Sequence, residues 1–365
     1  MKQLHLTTGK GEFVKRKKEN GELEDICLCH LNADLSTACP GQVYGEHILE
    51  VIKNNGAYDE GNIEKYREEG KIDGRCVYCY EKRKNWGKIT PKIIGKKTRE
   101  EFEKKKPKII RMAKETECGH YFYKEQLKQF LELCKEYGTS LIFPTKALSF
   151  DDQIAELLIE TKSVLNYSLC NDKFEPGLVS QGFLNIWRVQ QAVRYDKAGV
   201  NTTTTLTCDV TDSFENNLQR GFAINEMLNA KESGVITRIL PLRIYSKKVC
   251  LEATGRKWEE IILPNRLSKY FDFGFEWRYI KVGGNKAIPL FLHDDFKKLV
   301  GEGIGVCGQI GEQEYCDHCN LHKRVRIVVP TEELAEVKRS GQKLKYKKYN
   351  TKKEIAEDKN QGILF

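Results

Sequence analysis

No stretch of this chain approaches the roughly 18 to 20 uninterrupted apolar residues that a bilayer-spanning helix requires. Residues 1–18 are polar and lysine-rich where a signal peptide would carry an apolar centre. The expectation is a soluble, cytoplasmic protein with no membrane partner. A disulfide framework is equally unsupported, because 13 cysteines is an odd number and thiols in a reducing compartment hold metals or lie buried. Extreme charge is missing too. The formal charge is +9, and much of it sits in two runs, 96–108 and 338–353, each with interspersed acids. That pattern suits solvated helix faces better than a dedicated patch for nucleic acid. With 365 residues and 40% hydrophobic content, the chain can bury one large core or two modest ones.

What the chain does have is cysteine in groups. Cys76 and Cys79 stand in the run Gly74-Arg75-Cys76-Val77-Tyr78-Cys79-Tyr80. Their C-x2-C spacing sets two sulfurs on one tight turn, close enough to share a metal centre. Cys39 follows the apolar, strand-like run 31–38 and supplies a third sulfur. The long loop back to Cys76 costs little, since closure entropy grows only logarithmically with length. Cys27 and Cys29 precede that strand and would have to fold back to reach the same point. Taken alone, the pair fits a structural zinc ribbon equally well. A second group, Cys307, Cys316, Cys319 and His322, has the spacing C-x8-C-x2-C-x2-H. Three thiolates and an imidazole complete a tetrahedral zinc site with no open position. His318 competes for the fourth place, and without either histidine three sulfurs would suit a second iron-sulfur cluster. The two groups hold more sulfurs than one structural zinc accepts, so two centres are expected.

Between residues 107 and 243 short apolar runs alternate with helix-like segments, the mark of strand-helix units around a parallel sheet. Strands are expected at 31–38, 108–113, 140–145, 163–169, 201–207 and 235–240, and helices at 123–137, 150–160 (opening at Ser149) and 181–198 (stopping at Gly199). Six units are too few for a closed eight-fold barrel. The expected fold class is α/β, a partial (β/α)6 TIM-like barrel with a C-terminal metal-binding extension, and its chemistry belongs at the carboxyl ends of the strands. The domain plan is an N-terminal arm at 1–24, the barrel at 25–245 with an insertion at 40–75, a cysteine-containing domain at 246–330, and a basic, partly disordered tail at 331–365. Aromatics between 258 and 296, including Phe271, Phe273, Phe275 and Trp277, alternate as a strand burying one face would. Interleaved basic residues leave base stacking as the other reading.

Cys39, the run Cys76-Val77-Tyr78-Cys79-Tyr80, and the strand-helix series bearing Phe143-Pro144-Thr145-Lys146 and Tyr167-Ser168-Leu169 resemble the radical S-adenosylmethionine superfamily, in the branch similar to spore photoproduct lyase. The resemblance covers roughly residues 25–245. It implies a 4Fe-4S cluster held by Cys39, Cys76 and Cys79, with one iron left open to S-adenosylmethionine. It also implies an electron donor such as flavodoxin or ferredoxin, and reductive cleavage to a 5'-deoxyadenosyl radical that abstracts hydrogen from a nucleic acid or nucleoside. The chain departs from the family's C-x3-C-x2-C spacing, because Ile72 occupies the position four before Cys76. By the same resemblance Glu117 accepts from the amino group of S-adenosylmethionine, and Thr145, Lys146, Ser168, Asn171 and Thr207 bind its ribose or carboxylate. The bland alternatives are a helix-capping acid at Glu117 and strand-end hydroxyls that satisfy backbone groups. Cys118 and His120 are candidates for a hydrogen donor or proton relay, with an incidental loop thiol and imidazole as the plainer reading. The competing function class is a non-catalytic, zinc-stabilised nucleic-acid-binding protein.

Overall fold

The computed structural model describes residues 2–17, 23–36, 91–113, 116–120, 123–170, 181–242, 250–251, 254–257, 259–261, 275–276, 279–282, 286–289, 293–302, 304–306 and 309–310. The strands are β1 (Thr7–Lys17), β2 (Leu23–Ala33), β3 (Ile109–Met112), β4 (Ser140–Thr145), β5 (Val164–Cys170), β6 (Asn201–Cys208), β7 (Ile236–Pro241), β8 (Phe275–Glu276), β9 (Tyr279–Val282), β10 (Lys286–Pro289), β11 (Gly305–Val306) and β12 (Gln309–Ile310). The helices are α1 (Lys96–Lys105), α2 (Lys124–Glu136), α3 (Asp152–Glu160), α4 (Gln181–Lys197), α5 (Leu218–Glu232) and α6 (Asp294–Gly301).

Six strands, β2 to β7, lie parallel and in chain order, and helices alternate with them from β3 onward. β1 closes one edge antiparallel to β2, and β11 joins the other edge parallel to β7. Right-handed crossovers between sequential neighbours place every connecting helix on the same face of a sheet. The core agrees: Ile110, Phe143, Leu165, Leu169, Leu206 and Ile239 from alternate strand positions join the buried faces of α2, α3, α4 and α5 in one apolar cluster. The opposite face carries the intervening residues, among them Arg111, Asn166, Ser168, Thr203, Thr205 and Arg238. The sheet is therefore open and two-sided, apolar under its helices and polar on the other surface. β4 tolerates Pro144 near its end because pairing with β3 stops at Ile142, so the missing N–H faces no ladder on that side.

Local chemistry accounts for the helix ends. α2 buries Leu127, Phe130, Leu131, Leu133 and Cys134 at helical spacing. α4 stops where Gly199 turns to φ +96°, the left-handed geometry that glycine adopts without strain. α3 is capped by Asp151, whose carboxylate accepts the Ile154 N–H at 3.0 Å. This corrects the expected start at Ser149, whose carbonyl instead accepts the buried Tyr195 hydroxyl at 3.0 Å.

The first strand differs from expectation as well. It spans Leu23–Ala33 instead of 31–38, and Ser36 makes only an isolated bridge to Pro91. Pairing with β1, from Thr7 opposite Asn32 to Lys17 opposite Leu23, extends the strand toward its amino end. Cys27 and Cys29 thus sit inside β2, opposite Phe13 and Glu12. The insertion 40–75 and the tail 331–365 lie outside the described residues, as do Trp258, Tyr270, Phe271, Phe273 and Trp277 of the aromatic group. No helix among the described residues is long and apolar enough to cross a membrane.

Candidate active site at the carboxyl ends of the parallel strands

Glu117 lies in the turn between β3 and α2, beyond the carboxyl end of β3, and reaches across to the end of β4. Its Oε1 accepts the Gly119 N–H at 2.9 Å and the Thr145 hydroxyl at 2.6 Å, while Oε2 accepts the Lys146 N–H at 2.7 Å. Thr145 is saturated by this arrangement, since its oxygen also accepts the Ala147 and Leu148 N–H groups, both at 3.1 Å. A carboxylate offers about four acceptor positions, so three protein donors leave one on Oε2. The residue keeps a partly exposed surface although protein atoms surround the carboxylate. Burial raises its pKa above the usual carboxylate range, against the opposing pull of Thr145, Lys146, Gly119 and the Arg188 charge.

Gly119 is where this turn comes closest to its neighbours. A Cβ there would stand 2.2 Å from Thr145 Oγ1 and 2.9 Å from Leu148 Cβ, so only glycine lets the turn lie against the end of β4. On the far side Arg188 of α4, fully buried, donates from Nε to the Lys146 carbonyl at 3.2 Å and from Nη1 to Asn185 Oδ1 at 3.3 Å. Neither Gly119 nor Arg188 was expected from sequence. A glycine directly after Glu117-Cys118 was the available signal for the first; nothing in the pattern of α4 marked the second.

The preceding residues anchor the turn to the chain after β2. Asp34 accepts the Thr116 N–H at 3.1 Å and its hydroxyl at 3.2 Å, and the Leu35 N–H meets Cys118 Sγ at 3.4 Å. Burial pushes the Cys118 thiol up to about 12, so it stays protonated and sealed in the core. His120 is buried beside Tyr123, with ring centroids 6.2 Å apart.

Of the expected ligand-binding residues, the structure brings Glu117, Thr145 and Lys146 together. Ser168 and Thr207 sit at the carboxyl halves of β5 and β6 on the polar face, in register with Thr205 and Leu240 respectively. Asn171 and the expected metal ligands Cys39, Cys76, Cys79, Cys307, Cys316, Cys319 and His322 lie outside the described residues. Among the described residues no cluster of metal-ligating side chains occurs.

No protein-family model and no curated protein matches this chain. Among solved structures it is similar to Streptococcus suis SuiB bound to S-adenosylmethionine, with TM-score 0.35 and 14% identity over 52% of this chain and 42% of that one. A second match is Streptococcus suis SuiB bound to the precursor peptide SuiA, with TM-score 0.34 and 11% identity over 69% of this chain and 66% of that one. The chain thus spans less than half the length of the SAM-bound chain it matches.

Proposed function

We propose that this chain is a radical S-adenosylmethionine enzyme, similar to the spore photoproduct lyase branch, and that Glu117 is its anchor for the ammonium group of S-adenosylmethionine. The observation that carries this reading is the Glu117 carboxylate at the carboxyl ends of two parallel strands, fixed by three protein donors with one acceptor position left. A helix-capping acid would instead bond the first turn of α2, and the N-cap residue Tyr123 makes no side-chain cap bond. Glu117 is bound to the other strand end.

In this reading Cys39, Cys76 and Cys79 would hold a 4Fe-4S cluster, which when bound would supply one-electron reduction of S-adenosylmethionine. Thr145 and Gly119 position Glu117: one by donating to it, the other by letting the turn come close enough. Arg188 keeps positive charge beside the carboxylate and so favours its ionised form. Ser168 and Thr207 would contribute hydroxyls toward ribose or carboxylate oxygens, and Cys307, Cys316, Cys319 and His322 would hold zinc that braces the C-terminal region. The substrate is a nucleic acid or nucleoside.

Equilibrium binding of S-adenosylmethionine to Glu117→Gln tests the anchor. A hydrogen bond between charged partners contributes about 1.5 to 3 kcal/mol, so at 1.4 kcal/mol per decade the variant should bind roughly ten- to hundredfold more weakly. Unchanged affinity in a folded variant contradicts the assignment.

A further inference from the structure

On the outer surface of the helix layer, two side chains of α4 converge on one aromatic ring. Phe150, in the loop between β4 and α3, donates its N–H to Gln191 Oε1 at 2.8 Å, and the Arg194 guanidinium lies 4.4 Å over its ring centroid. The Tyr195 hydroxyl donates to the Ser149 carbonyl at 3.0 Å and accepts the Asp151 N–H at 3.2 Å, and its ring centroid stands 4.9 Å from that of Phe150. The backbone on both sides of Phe150 is therefore pinned, which lowers the ordering cost of binding against it.

A backbone N–H can only donate, so Gln191 turns its carbonyl oxygen toward Phe150 and its amide nitrogen the other way. That nitrogen carries two N–H donors and has no partner among the described residues, although Gln191 is only 7% exposed. Arg194 is exposed and makes no ion pair or hydrogen bond among the described residues, so its stacked plane keeps its N–H donors. Both residues line a cleft of about 850 Å³, to which Trp187, Val189 and Val193 add apolar surface. Small-molecule sites span roughly 300 to 1,000 Å³ and combine such walls with a few fixed polar groups. The acid among the lining residues, Glu226 of α5, accepts Asn229 Nδ2 at 3.1 Å. One guanidinium facing one carboxylate across the cleft disfavours a dianion such as a phosphate ester. A guanidinium and an amide beside aromatic rings suit instead a planar monoanion, a carboxylate borne on a flat apolar body.

We propose that Arg194 and Gln191, held against Phe150, bind the carboxylate of a small aromatic acid in this cleft. The site lies on the helix side of the sheet and does not depend on the radical-enzyme reading.

Fluorine NMR of para-fluorobenzoate, titrated with the full, anaerobically reconstituted chain at constant ionic strength, tests it. The comparison ligand is para-fluorobenzamide, which keeps the ring and lacks the charge. Expected is saturable binding of the benzoate, with the benzamide weaker by about tenfold or more. Arg194→Met keeps an apolar stem over Phe150 and removes the charge. Gln191→Glu keeps the acceptor for the Phe150 N–H and removes both amide donors. Each variant should retain the wild-type melting temperature within a few degrees and weaken the benzoate by about tenfold or more. No saturable binding, equal affinity for the benzamide, wild-type affinity in either folded variant, or displacement of the benzoate by an equal concentration of inorganic phosphate would each overturn the assignment. The benzamide and phosphate comparisons use the wild-type chain, so a variant that fails to fold leaves the proposal refutable.

Discussion

Glu117 ties a strand end to a turn through three hydrogen bonds, and its protonation state is linked to stability. Its folded-state pKa is raised, because burial outweighs the donors around it. In the window from the ordinary carboxylate value up to the raised one, the folded chain binds more protons than the unfolded chain, so stability falls as pH rises through it. On the proposed reading, S-adenosylmethionine binds the ionised carboxylate, so its affinity should strengthen across that same window. Titrating affinity and melting temperature together checks the opposite signs; parallel trends would refute the assignment. Two glycines give a second contrast. Gly119→Ala forces a methyl group to 2.2 Å from Thr145 Oγ1, and such overpacking costs about 1 to 3 kcal/mol. Gly221→Ala, inside α5 with the Phe214 carbonyl 3.8 Å from its Cβ position, should stabilise by up to about 1 kcal/mol through helix propensity. Urea denaturation distinguishes the two.

The elements with a single dominant pattern are those whose limits the sequence reveals most closely. β4 matches the expected 140–145 at both ends and α2 falls within one residue of 123–137, because a buried run and a helical stripe each leave one periodicity. α3 was displaced because two candidate caps stand close together and only Asp151 aims its carboxylate at the Ile154 N–H. Asp151 also pairs with Lys124 at 2.5 Å and Lys128 at 3.6 Å. Burial alone would raise its pKa, but Lys124, the Ile154 N–H and Lys128 outweigh it and hold it below the usual range. Asp151→Ala should cost about 0.5 to 2 kcal/mol as a lost cap. The stability Asp151 contributes is present above the ordinary aspartate pKa and fades as pH falls through the lowered one, which thermal melts across that acid range would show. β2 was placed late because its amino half depends on the antiparallel partner β1, a tertiary pairing that local alternation does not encode. At the candidate site, the polar turn carrying Glu117 was legible as the segment after a strand, whereas Arg188 approaches it only through the packing of α4.

Across the whole molecule, the C-terminal segments are held to the sheet by charge and by aromatic packing. Asp209, 2% exposed just past β6, accepts Arg256 Nη1 at 3.1 Å and lies 3.7 Å from the buried Arg220 Nη2, while Asp212 approaches Arg220 at 3.5 Å. Nearby, Phe214 meets Phe296 of α6 edge to face at 5.0 Å, and the His293 N–H donates to the Val210 carbonyl at 2.8 Å. Removing one partner of a buried ion pair typically costs about 3 to 5 kcal/mol. Asp209→Ala should therefore destabilise the chain by about 3 kcal/mol and speed hydrogen exchange in 254–261 and 293–302; unchanged exchange there would refute a clasp. The two faces of the sheet differ in chemistry: helices and core lie on one and polar residues on the other, with Glu117 beyond the strand ends. The most direct test of the radical-enzyme reading is anaerobic reconstitution followed by quantification of iron, sulfide, zinc and, after reduction with dithionite, 5'-deoxyadenosine released from S-adenosylmethionine. Expected are about four irons per chain and cofactor-dependent release, both lost in Cys76→Ala and Cys79→Ala while zinc stays bound. Zinc at both cysteine groups, no iron after reconstitution and no 5'-deoxyadenosine would contradict it and leave a zinc-stabilised binding protein.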